Sequence, residues 1–234
     1  MIISHTNSAY IAKWHAARLN RFNGAYYYSK EIAETMIPLV DTDRSWITVN
    51  VPGLGCDHAI VFVHNNLHPE RYEWLRRYKD IVLVCGIPET VEKVAHIGKA
   101  IYLPLSIDVE YVKQFKIKKS DKTKGAAFVG RPVKKKYGKL PGGIDYLEGL
   151  ERDKLLQRMA EYKEVYAVGR CALEAKVLGC RLKPYDDRFP NVSRWKVLDT
   201  REAAKILQER LDEIDGQGVR EEVLQQQDVA DLSE

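Results

Sequence analysis

Runs of four to six apolar residues recur along the first half of the chain. Ala59-Ile-Val-Phe-Val63 and Ile81-Val-Leu-Val84 are apolar at every position, the pattern of strands covered on both faces of a parallel sheet. Stretches of about ten residues separate them, and two open on proline. Pro69 starts a predicted helix through Arg77, and Pro88 another to about His96. Proline suits that position because the first helical N–H has no intrahelical partner to lose. The same reading predicts strands over 1–4, 24–28, 46–51 and 100–103, and helices over 8–19 and 29–38. Strands alternating with helices imply a parallel sheet with helices on its faces.

A break follows. Residues 116–124 are charged and aperiodic, and read as a linker. Beyond them the pattern predicts strands over 126–129, 165–168 and 180–183, with helices over 151–162 and 170–178. A last helix runs from 200 to about 214, with Thr200 as its cap. The expected fold is α/β with two Rossmann-like domains, the second abbreviated. The first domain covers 1–115 and the second 125–214, and an acidic, Gln-rich tail over 215–234 is expected to be frayed or disordered.

Composition adds one asymmetry. The net charge is only +4, yet residues 116–139 hold ten Lys or Arg and a single acid, Asp121. Such a block attracts phosphate, or is simply solvated. The cysteines (Cys56, Cys85, Cys171, Cys180) lack CxxC spacing, and no stretch has the layout of a signal peptide or a membrane span. A reduced, cytoplasmic protein is expected. No P-loop, zinc spacing or G-x-S-x-G elbow occurs, and Asp41-Thr-Asp43 has no strand to place it at a sheet end.

Ligands of open parallel sheets bind where strands end and helices begin. Val168 is followed by Gly169 and Arg170, then Glu174 one turn on. Glycine admits a ligand close to the backbone, the helix start attracts an anion, and arginine can contact phosphate. The alternative is a helical Arg170–Glu174 pair worth a few tenths of a kcal/mol. Val129 is followed by Gly130, Arg131 and Lys134 to Lys136, partners for a diphosphate, for a nucleic-acid backbone, or for water alone. His64, after the strand over 59–63, and His5, after the first, are candidate bases or structural histidines. Asp108 is expected to cap the helix that follows it.

Three stretches, "YLPLSIDVEYV", "AAFVGRPVKKK" and "YAVGRCALEAKVLGC", resemble a small glycosyltransferase of the GT-B architecture. The resemblance implies a nucleotide-sugar donor, a UDP-sugar foremost, with Glu174 on the ribose. Gly130, Arg131, Lys134, Lys136, Gly169 and Arg170 would hold its diphosphate. It implies no metal and no prosthetic group, with His64 or His5 as base and an open choice of acceptor, DNA included. Compact versions occur among bacteriophage proteins. Two departures stand out: Tyr166 sits where members with a two-glutamate motif carry an acid, and the second domain is short. The competing expectation is a non-catalytic nucleotide- or nucleic-acid-binding module.

Overall fold

The computed structural model describes residues 24–47, 58–63, 68–130, 140–186, 191 and 196–231. The strand expected over 1–4, the helix over 8–19, and His5, His64, Arg131, Lys134 and Lys136 lie outside them.

The chain is a mixed α/β structure built on parallel sheets. Strands β1 (Ser45–Ile47), β2 (His58–Val63), β3 (Asp80–Cys85) and β4 (Lys99–Tyr102) form the first, in that order. Side chains alternate across its pleat. Val61, Val63, Leu83 and Cys85 pack under the 3₁₀ helix Pro69–Arg77 and helix α2 (Pro88–Val94). Ile60, Phe62, Val82 and Val84 face the other way, onto helix α1 (Gly24–Glu31) and its continuation through Leu39. The strand expected over 24–28 is thus a helix. Its tyrosines favour strands locally, but Tyr28, Ile32 and Met36, four apart, are all buried, and a stripe of that period needs a helix.

A second parallel sheet contains β6 (Lys124–Val129), β7 (Asp145–Leu147), β8 (Tyr162–Tyr166) and β9 (Arg181–Lys183), in the order β7-β6-β8-β9. Helices α4 (Arg152–Ala160) and α5 (Arg170–Val177) cover it, sharing one core with Phe128's neighbours Ala127 and Val129. The charged stretch over 116–124 is docked, not a free linker. Ile117 packs on that core. The buried Lys122 ammonium donates to the carbonyls of Ala160 (2.7 Å) and Tyr162 (3.4 Å).

Two backbone elements link the halves. Strand β5 (Ser106–Ile107) pairs in parallel with β10 (Leu198–Asp199), while helix α3 (Val109–Lys113) follows β5. Helix α6 (Thr200–Asp231) then returns to the first sheet, where Ala203, Ala204, Leu207 and Leu211 are buried. Sequence order grouped this helix with the second half, and its apolar stripe goes to the first. Nor does it end near 214, since the backbone stays helical to Asp231. Asp199 rather than Thr200 serves its start: one oxygen accepts from Arg201 N–H (2.9 Å), the other from Val109 N–H (3.1 Å). Asp108 caps α3 as expected, accepting from Tyr111 N–H at 2.9 Å.

Candidate functional site

In the second sheet the chain passes from β6 to β7 on one side, then crosses to β8 and β9 on the other. The reversal falls between β6 and β8, and such switch points are where parallel sheets open a ligand crevice at their carboxyl ends. Phe128 lies opposite Tyr166, so Gly130 and the 167–170 turn leave the sheet side by side. Gly130 is fixed by packing, because a Cβ there would stand 2.8 Å from Phe128 Cζ. Gly169 is fixed by its backbone, with φ 60° and ψ −136°, a region that side chains other than hydrogen rarely adopt. A Cβ on Gly169 would meet nothing within 4 Å, so the turn has open space beside it.

Behind this turn lies a buried ionic cluster of four side chains. Glu174 Oε1 accepts from Arg170 Nε (2.9 Å) and faces Arg152 Nη2 at 3.2 Å. Glu31, from α1 in the first half, accepts from Arg152 Nη2 (3.1 Å) and from Arg170 Nη2. Burial works against the Arg170 charge, but Glu174 and then Glu31 outweigh it and hold the guanidinium above its ordinary value. The pairing is incomplete: Glu31 Oε2 and Arg170 Nη1 are buried without partners. Burial, foremost, raises the phenol of neighbouring Tyr28.

A cavity of about 410 Å³ opens against the cluster between α1, the start of α3 and the start of α4. Its wall carries five carboxylates (Glu31, Glu34, Asp108, Glu151, Asp153) against two cations (Lys30, Arg152). Thr35, Tyr27 and Tyr111 complete it, each of the two rings with its centroid 5.2 Å from the Arg152 guanidinium. Tyr111 donates to Asp153 and is pushed up to about 12, first by burial and then by that carboxylate. The arrangement suits a hydroxyl-rich or cationic group: carboxylates accept from hydroxyls, and flanking tyrosines offer flat faces. It repels a bare diphosphate.

Of the residues singled out in the sequence, the structure brings Gly130, Gly169, Arg170 and Glu174 to one end of one sheet. Arg170 and Glu174 do not face open solvent there. Each is held by the other and by residues the sequence did not single out, Glu31 and Arg152. The i,i+4 spacing of the first pair was legible, whereas Glu31 and Arg152 sit in ordinary charged runs with no local sign of burial. Asp43, in the discounted D-x-D, is engaged by His58 Nε2 at 2.8 Å, away from this crevice.

Among the described residues, no group of His, Cys, Asp or Glu is placed to hold a metal ion, and no helix is long and apolar enough to cross a membrane. No protein-family model matches the chain, and neither a curated protein nor a solved structure does.

Proposed function

We propose that the chain binds a nucleotide-sugar at the carboxyl edge of its second sheet and transfers the sugar to an acceptor, in the manner of a two-domain GT-B glycosyltransferase. The observation that carries this reading is the adjacency of β6 and β8 at the switch point, with Gly130 directly after β6 and Gly169 in the turn that follows β8. The diphosphate would lie along those two exits, with Arg131, Lys134 and Lys136 supplying positive charge, stabilising the departing nucleotide without a metal. The acidic cavity would take the hydroxyl groups of sugar or acceptor. His64 or His5 is the base expected from sequence, and Glu151 in the cavity wall is the described alternative. Glu174 acts through Arg152 and Arg170, which it orients, rather than by gripping the ribose itself.

Thermal melting with UDP, GDP, ADP and their sugars tests the reading. One nucleotide at about 100 times its Kd should stabilise by about 2.7 kcal/mol, raising Tm by several degrees. In Glu174→Gln that increment should shrink. No response to any nucleotide would sink the proposal. A second reading, a nucleotide-binding protein without turnover, is favoured by the mutual engagement of Arg170 and Glu174 and by Tyr166 in place of an acid. Incubating the responding nucleotide-sugar with water and with sugar, protein and DNA acceptors separates the two. Release or transfer of the sugar supports the enzyme, and an intact donor supports the binder.

A further inference from the structure

Strand β6 divides the basic block seen in the sequence. Its six residues span about 20 Å. The cations over 116–122 therefore precede it at the amino edge of the second sheet and Lys124 opens it, while the run over 131–136 comes after it in the sequence. Three segments converge on the amino edge. Lys124 N–H donates to Glu161 O (3.2 Å), and Lys124 pairs with Tyr162 at the start of β8. The Lys116 side chain lies alongside Gly179, 3.7 Å from where a Cβ would be. Lys116, Lys118, Lys119 and Lys163 are all exposed on this edge. Lys124 and Arg181 are neutralised by Glu161 and Glu164. Among the described residues, no carboxylate pairs with those four lysines.

Unpaired cations gathered on one edge attract a polyanion, and the rest of this surface decides which. An anionic bilayer is held stably when apolar side chains enter it alongside the cations. Single-stranded nucleic acid is held by exposed aromatic platforms. The large apolar side chains exposed among the described residues are Leu39, Tyr102 and Tyr146, none of them on this edge. A duplex backbone asks only for spaced cations, and phosphate contacts carry no sequence information. We propose that the amino edge of the second sheet docks on the phosphate backbone of double-stranded nucleic acid, irrespective of sequence, through Lys116, Lys118, Lys119 and Lys163.

The surface is at the opposite edge from the crevice, so duplex binding and the nucleotide response succeed or fail separately. The test is fluorescence anisotropy of the full chain with a labelled DNA duplex of about 20 base pairs, between about 50 and 200 mM KCl. Four phosphate contacts predict a slope of log K against log salt near −3.6, that is about 0.9 per contact. A second, unrelated sequence should bind equally. The triple exchange Lys116→Glu, Lys118→Glu and Lys119→Glu should weaken binding at least about tenfold at low salt and flatten the slope to about −1. Its Tm should not change, since all three side chains are exposed. Three results overturn the proposal. The triple variant binds like the parent; or Lys134→Glu with Lys136→Glu takes the loss instead; or a single strand or phosphatidylserine vesicles compete better than the duplex.

Discussion

Glu31, Arg152, Arg170 and Glu174 form two opposite charge pairs inside the protein, and each member is tolerable there only because of the others. Withdrawing one partner from such a cluster costs about 3–5 kcal/mol, because it strands a charge away from water. Glu174→Ala leaves two guanidiniums, Arg152 and Arg170, facing Glu31 alone, so urea denaturation should show a loss of that size. A loss below about 1 kcal/mol would mean that the cluster is solvated and that Glu174 positions nothing. At this scale the sequence is half informative. Arg170 and Glu174 are four apart on a helix, and their contact follows from helical geometry. Glu31 lies 121 residues from Arg152 and 139 from Arg170, and no local pattern reports a meeting across that distance.

Strands β2 and β3 were legible because, after their first residues His58 and Asp80, they are apolar at every position and buried. Strand β7 was not: of Asp145, Tyr146 and Leu147 only the leucine is buried, and three residues hold no period. The two-residue strands β5 and β10 exist only through each other. Helix α6 shows the converse, an obvious helix whose destination the sequence does not disclose. Part of its anchorage is electrostatic. The buried Arg44 donates to Asp215 on α6 (2.6 Å) and to Asp80 at the start of β3 (2.8 Å), with His58 Nδ1 also on Asp80 at 2.5 Å. Burial opposes the Asp80 charge, but Arg44 and then His58 prevail and hold its carboxyl below the usual carboxylate value. A carboxyl whose pKa is lower folded than unfolded adds stability that is fully present above the unfolded value, about 3.9. That contribution is lost as pH falls through the depressed folded value. Urea midpoints should therefore decline from pH 5 to pH 3 more steeply in the parent than in Asp80→Asn. Parallel pH profiles would remove Asp80 from the account of acid sensitivity.

At the scale of the molecule, three features bind the halves into one unit: the β5–β10 pair, helix α6 laid on the first sheet, and Glu31 reaching Arg152 and Arg170. Leu105 packs on the cores of both halves, so loosening one core exposes surface in the other. Contacts that cross between sheets make separate unfolding costly, and regions that open together share one exchange free energy. Leu207 distinguishes cooperative from independent opening, because it is fully buried and belongs to the first core alone. Leu207→Ala should cost about 3 kcal/mol through the lost side chain and the cavity left behind. If the halves open as one, the slowest amides of β3 and of β8 should both exchange about 100-fold faster, although β8 lies in the other half. If β3 accelerates while β8 keeps its protection, the halves open independently.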